Sequence, residues 1–422
     1  MIQILEHIYF SYDGILSSDM GLINITLSSD MYDEPFLAQR NVKTQKIRGR
    51  DKPYFYEVER EPLTFKLSFA FLETWDENKI RSIARWLDQD YYKEFYMSDN
   101  PNKRYFTILN GDSRLVHNGL KQGYVELEFL CDSSYAYSPV YETELFDFTT
   151  NPLIFNDNLE TGTFNNTENN PSLILVYYFS WNDNEGKDET TGFDETKEYT
   201  LENDASEFWN DWLGVSFPSY VNTGERTSNP INLSSVKFST ETKISWNQTK
   251  PSNTTINIET SINNGLTWQT ATNGNTIPGI QHGMNLTNIN LLIKITLSTT
   301  NALVTPTINS LAITSKRGVT INNEGDTIIY PEIYLTKVSS TGNINLINTD
   351  DNNLNFLFES IVQNEELYID NENEHIETSE VGIYRYDKFN NNYLRLIRDE
   401  NVIEVNSGFK VIFRYRYKYL QS

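Results

Sequence analysis

The chain has 422 residues, with 58 Asp and Glu against 34 Lys and Arg, a formal net charge of −24 and one cysteine, Cys131. That length exceeds one ordinary core, so two to three domains are expected, and an aromatic share of 13% argues against disorder. So acidic a surface disfavours nucleic acid and anionic membrane as partners, and a single cysteine excludes an intrachain disulfide framework or a Cys-based zinc cluster.

The first ten residues, "MIQILEHIYF", lack the basic flank and apolar stretch of a signal peptide. No apolar run approaches the roughly 20 residues that span a bilayer. The expectation is a soluble protein made in the cytoplasm. Residues 1–138 read as one domain, a sheet carrying the only clear helix. "PLTFKLSFAFL" alternates Leu63, Phe65, Leu67, Phe69 and Phe71, which predicts a strand with one buried face. "TWDENKIRSIARWLDQDYY" predicts a helix opened by a capping box of Thr74 and Glu77, with Ile80, Ile83, Ala84 and Leu87 as its apolar stripe. "RYFTILN", "SRLVHN" and "GYVELEFLC" read as further strands. Ahead of them, "IRGRDKPYFYEVERE" is polar and charged; it reads either as a long surface loop or as an arm that reaches a neighbouring subunit, with Arg48, Arg50, Asp51, Tyr54 and Tyr56 as its candidate contacts.

Residues 139–155 are expected to form a connector and the first strand of the C-terminal domain. From 156 to 315 the composition turns to Asn, Thr and Ser, and "KISWNQ", "TTINIETSI", "LLIKITLS" and "PTINSLAIT" predict an inserted β-sandwich of jelly-roll type. Asn264-Gly265 is a favoured hairpin-turn pair. Trp246 shares a face with Ile244 and is expected in the core. Trp209 and Trp212, beside Asn210 and Asp211, together with Trp268, are candidates for stacking on a sugar ring. Residues 316–422 carry another run of strand signals, including "EVGIYRYDKF", "NYLRLI" and the terminal "GFKVIFRYRYKYL". In that ribbon Val411, Phe413, Tyr415, Tyr417 and Tyr419 point one way and Ile412, Arg414, Arg416 and Lys418 the other, so the basic row is expected to pair with carboxylates of neighbouring strands.

Nothing catalytic emerges. His7, His117, His282 and His375 are scattered, and no HExxH, CxxC, GxSxG, P-loop or GxGxxG pattern occurs. No cofactor and no metal is expected. "NTDDNN" at 348–353 and "WNDNEGKDE" at 181–189 lack the EF-hand order and read as solvated turns.

In combination, several of these segments resemble the distal tail protein family of long, non-contractile-tailed phages. "GRDKPYFY", "PLTFKLSF", "NKIRSIARWL" and "GYVELEFLCDSSYAYSP" are similar to that family's ring domain. "INNEGDTIIYPEIYL", "EELYIDNENEHIE" and "RDENVIEVNSGFKVIFRYRYKYL" are similar to its C-terminal galectin-like sandwich. The resemblance implies a mostly β chain: an N-terminal β-sandwich with one α-helix that forms a hexameric ring, an inserted jelly-roll sandwich and a galectin-like sandwich. It implies a non-enzymatic structural protein at the virion tail tip. Its partners would be copies of itself, the tail tube protein, a tail-tip hub, lysin or fibre protein and, through the insert, a host cell-wall glycan. The genome would pass through the lumen without sequence-specific contact, and no membrane would be engaged. The alternatives are a stand-alone carbohydrate-binding adhesin, which would need an export signal, and a glycan-cleaving enzyme.

Overall fold

A computed structural model describes residues 8–24, 37–72, 74–118, 120–150, 154–167, 175–179 and 216–420. These are mostly β, with one α-helix among them. The chain divides into two compact units, one made of residues 1–150 with 320–422 and one of residues 151–319.

The first unit opens with a ten-stranded sheet. Its main run orders Ile15–Leu16, Phe10–Tyr12, Lys93–Met97, Arg104–Leu109, Gly123–Cys131, Thr64–Phe71 and Leu22–Asn24, each neighbour antiparallel to the next. Alternation along Thr64–Phe71 does what the sequence predicts: Leu67 and Phe69 are 6% and 0% exposed. They join an aromatic core in which the Phe10 ring stacks on Trp86 at 5.6 Å and Phe65 lies 5.0 Å from Phe95. The helix spans Glu77–Leu87. Its cap is Asp76, whose carboxylate accepts from the Lys79 N–H at 2.8 Å, and not the expected Thr74 box. The buried stripe is Ile83, Trp86 and Leu87, while Ala84 stays exposed. Trp86 displaces it because its indole both fills the core and donates to the Tyr12 carbonyl at 2.9 Å.

The rest of this unit is a β-sandwich. One sheet orders Tyr141–Glu142, Phe409–Tyr415, Glu332–Lys337, Glu366–Asp370 and His375–Thr378, with Phe146–Asp147 also on Phe409–Tyr415. The other includes Asp399–Val405, Gly342–Asn348 and Leu354–Ile361, in that order. Ile333, Ile369, Ile344, Phe356 and Phe413 are fully buried. Two predicted strands are not strands. "EVGIYRYDKF" is a turn followed by a short 3-10 helix at Arg385–Lys388, and "NYLRLI" makes only an isolated bridge at Leu396. The first departs from extended backbone because Arg385 turns inward to a buried carboxylate, described below.

The second unit is a sandwich as well. One sheet orders Thr163–Asn165, Thr223–Thr227, Asn290–Thr299, Thr254–Ser261 and Gln269–Thr270. In the other, Ile154–Asp157 and Phe238–Thr249 both pair with the long strand Thr307–Asn323. Asn290–Thr299 alternates without a break: Leu291, Ile293, Ile295 and Leu297 are all fully buried. Trp246 is partly buried against this core. Position 315, the expected end of the insert, lies inside the strand Thr307–Asn323. The Asn264-Gly265 turn has positive φ at both residues, 58° and 83°, but it sits in a wider loop, since the flanking register pairs Thr260 with Gln269.

Candidate subunit interface

Two strands, Arg40–Gln45 and Tyr54–Arg60, form a hairpin that pairs with no other strand among the described residues. Every residue from Gln39 to Pro62 is exposed. The hairpin has two chemically distinct faces. On one, Lys43 reaches Glu57 at 3.3 Å and also contacts Glu59, and the Tyr56 hydroxyl donates to Gln45. On the other, Val42 stands opposite Val58 and Thr44 opposite Phe55. Val42, Phe55 and Val58 are 58%, 64% and 40% exposed. A lone two-stranded hairpin is marginally stable in water, and an uncovered apolar face on one marks an interaction surface. Its foot is fixed. Ala38 and Leu63 are buried, Leu63 N–H donates to the Ser133 carbonyl at 3.0 Å, and Arg60 donates to the Tyr135 hydroxyl at 2.9 Å.

All five arm candidates lie on this element. Arg48, Arg50 and Asp51 sit at the turn, and Tyr54 and Tyr56 on the second strand. The Arg50 guanidinium covers the Tyr54 ring at 4.3 Å. Sequence reasoning missed the first strand and the apolar trio. A register shift between Lys43 and Thr44 puts Phe55 and Val58, three residues apart, on one face, so no period-two pattern announces it.

The terminal ribbon is not one strand. Phe409–Tyr415 belongs to the sandwich, and after a break Lys418–Tyr419 pairs with Ala136–Tyr137 in the ten-stranded sheet. Ser138 holds the break. Its N–H donates to the Tyr417 carbonyl at 3.0 Å and its hydroxyl accepts from the Tyr417 N–H at 2.8 Å, while its carbonyl accepts from Arg416 at 3.1 Å. The basic row pairs as expected: Lys410 with Asp147 at 3.5 Å, Arg414 with Glu332 at 3.5 Å, Arg416 with Glu94 at 3.1 Å and Lys418 with Glu372. Burial pushes the Tyr417 phenol well above its ordinary range, with Tyr415 and Glu324 adding to the effect.

Each unit holds a buried ion pair. In the second unit the Arg226 guanidinium, fully buried, grips Asp157 through two bonds of 2.7 and 2.8 Å and donates to the Thr161 carbonyl. In the first unit Arg385 grips the fully buried Glu365 at 2.6 and 2.7 Å. Burial raises the Glu365 carboxyl, but donors from Arg385, Thr378 and the Val362 N–H outweigh it and hold the group below its ordinary range. The acids of "NTDDNN" are not simply solvated. Asp351 is 5% exposed and bonded to Arg395 at 2.6 Å, and Asp350 accepts from the Val402 N–H at 2.7 Å. Among the described residues no group of three or more His, Cys, Asp or Glu could hold a metal ion. Burial pushes the Cys131 thiol up to about 12, so it stays protonated and unreactive.

Of the sugar-stacking candidates, Trp209, Asn210, Asp211 and Trp212 lie outside the described residues, as does "WNDNEGKDE". Trp268 is partly buried, and the Lys294 ammonium lies 4.6 Å from its ring centre, held by Glu259 at 2.9 Å. One face of that ring is therefore occupied.

Residues 5–133 match the family described as phage tail protein N-terminal domain, and residues 302–415 match phage tail C-terminal domain. This is a phage tail protein. SPbeta prophage-derived uncharacterized protein YomH of Bacillus subtilis is 33% identical over 147 residues, which are 35% of this phage tail chain and 58% of that protein's length. Among solved structures, SPP1 Dit (gp 19.1), titled a paradigm of hub adsorption apparatus in Gram-positive infecting phages, aligns over 97% of this chain and 99% of its own at 8% identity and a TM-score of 0.47. A chain of the phage P2 baseplate in its activated conformation with Ca aligns over 98% of each chain at 6% identity and a TM-score of 0.39. No helix of the described residues is long and apolar enough to cross a membrane.

Proposed function

We propose that this phage tail protein is a distal tail protein: six copies close into a ring at the end of the tail tube, and a tail-tip hub, lysin or fibre protein docks on the opposite side. The observation that carries the reading is the hairpin at 40–60, exposed throughout and apolar on one face. Such an arm contacts a site on a neighbour that differs from the arm itself. A head-to-tail contact of this kind generates a ring when its rotation closes. The role is structural, with no catalysis. The test is light scattering and negative-stain imaging of the purified full-length chain, alone and with tail tube protein, plus antibody labelling of virions. A six-fold ring and label at the tail tip are expected. A chain that stays single under all these conditions, or labels elsewhere, overturns the proposal.

The insert supplies a second function in this proposal, binding of a host cell-wall polysaccharide. Support comes from its sandwich architecture and from the tryptophans around 209–212 and at 268. A ring would multiply weak single-site contacts by roughly 10²–10⁴. Full-length protein should sediment with purified cell wall, and Trp209→Ala with Trp212→Ala should abolish it. Retention by the variant refutes this assignment, and release of reducing ends from the polysaccharide would make the chain a glycan-cleaving enzyme instead.

A further inference from the structure

The arm tip is a basic island on an acidic chain. Lys46, Arg48, Arg50 and Lys52 stand there against Asp51 alone, all exposed, beside Ile47 at 45% exposure. A chemical complement lies in the first unit, on the turn between His375–Thr378 and the short 3-10 helix Arg385–Lys388. There Val381, Ile383 and Tyr384 are 99%, 43% and 79% exposed. Near them in sequence stand Glu372, Glu374, Glu377, Glu380 and Asp387, of which Glu372 already contacts Lys418, Glu377 lies 3.0 Å from His375 and Asp387 3.6 Å from Lys388.

This turn is held firmly although its apolar side chains face water. Arg385 is locked onto buried Glu365, and the Thr378 hydroxyl donates to the same carboxylate at 2.6 Å. The Tyr386 hydroxyl accepts from the Ile376 N–H at 3.0 Å, and Phe389 stacks on Phe358 at 4.7 Å. Tyr386 and Tyr393, which donates to the Glu374 carbonyl at 3.0 Å, also cap outward-facing groups of the edge strand His375–Thr378. Strand addition at this edge is thereby blocked, which leaves the side chains of the turn as the surface on offer. A rigid, pre-ordered apolar patch loses little entropy on binding, and an acidic rim selects a basic partner.

We propose that the basic tip of the 40–60 hairpin of one copy seats on the Val381–Tyr384 turn of a second copy, with Ile47 against the apolar patch and Arg48, Arg50 and Lys46 toward Glu374, Glu377 and Glu380. This rests on the ring reading above and adds to it the place where the arm lands. It also assigns the C-terminal sandwich a part in ring closure.

Two full-length variants test it, Arg48→Cys in one preparation and Tyr384→Cys in another, mixed and treated with a short bismaleimide. Each carries one reachable thiol, since Cys131 is 1% exposed. A two-chain adduct in the mixture, at least about tenfold above either variant alone, is expected. In parallel, Lys46→Glu, Arg48→Glu and Arg50→Glu together should weaken assembly about tenfold, as should Glu374→Lys, Glu377→Lys and Glu380→Lys, and mixing the two reversed proteins should restore it. Rings without the adduct and without rescue overturn this inference while the ring reading stands. Adducts of Tyr384→Cys to a different tail protein in virions overturn it equally. Absence of any oligomer, alone or in virions, overturns the ring reading and this inference with it.

Discussion

Replacing Val42, Phe55 and Val58 together with Ser separates an arm that waits for a partner from one that merely decorates the surface. Full burial of a Phe side chain is worth about 3 kcal/mol and of a Val about 1.5. Scaled by the 64%, 58% and 40% still exposed at Phe55, Val42 and Val58, covering the three releases about 3.5 kcal/mol per contact. That is a factor on the order of 300 in each association constant. The same substitutions remove almost nothing from the isolated chain, because exposed positions change stability by about 0.5 kcal/mol or less. The assay is light scattering across a dilution series, paired with thermal unfolding of the same samples. Assembly should move to concentrations about two orders of magnitude higher while the monomer melts as before. If assembly is unchanged, the apolar face has no partner. If the monomer melts well below wild type, the face packs within its own chain and the reasoning from exposure fails.

Four further outcomes follow from the buried charges and from Lys418–Tyr419. Arg385→Met strands the Glu365 carboxylate in the core and should cost the first unit about 3–5 kcal/mol in urea unfolding. Because the Glu365 carboxyl is held below its ordinary value, its contribution is present above the unfolded carboxylate range near pH 4.3 and is lost as pH falls through the folded value; Glu365→Gln should flatten the acid side of the stability profile, and an unchanged profile would refute the linkage. Arg226→Leu should cost the second unit about 3–5 kcal/mol, whereas Arg226→Leu with Asp157→Leu should cost less than either alone, read by hydrogen exchange at residues 154–167. Deleting residues 416–422 should speed exchange at Ala136–Tyr137 and Arg104–Leu109, since Lys418–Tyr419 covers the one and the other pairs at Tyr137 with Arg104; protection equal to wild type would show that the closing strand is dispensable.

The strands with one buried face were legible because a single period carries both structure and burial. Leu67 and Phe69, or Leu291 through Leu297, could not be satisfied any other way. Helix capping was less legible. Asp76 and Thr74 both offer an oxygen, and the choice depends on where the chain leaves the preceding strand. "EVGIYRYDKF" misled because its apolar alternation is real but serves no core: Val381, Ile383 and Tyr384 face water, and Arg385, the polar residue, is the buried one. A local pattern cannot reveal that Glu365, 20 residues earlier, awaits a cation. The arm was visible as a candidate but not as a hairpin, for a related reason. Its strands have no core to alternate against, so sequence shows only charge, a turn and a few tyrosines.

An acidic chain ending on a basic ribbon now has a physical account. The four pairs of that ribbon are partly exposed, with side chains 14–51% accessible, and solvent-screened pairs of this kind contribute at most about 1 kcal/mol each. Buried neighbours hold the ribbon more strongly: Ala136 and Ser138 are 0% exposed and Tyr417 6%. The charges instead decide register. A one-residue slip would turn Arg414 and Lys410 into the core of the sandwich and Phe413 and Val411 out of it, and Glu332 and Asp147 add an electrostatic cost to the slip. Because Lys418–Tyr419 belongs to the sheet that holds Phe10–Tyr12, that sheet cannot be completed until residues 418–419 are made. The second unit is one continuous stretch, residues 151–319. Its strands are made before Lys418–Tyr419, so the ten-stranded sheet, from which the arm projects, needs a later-made strand than the insert's own pairings do.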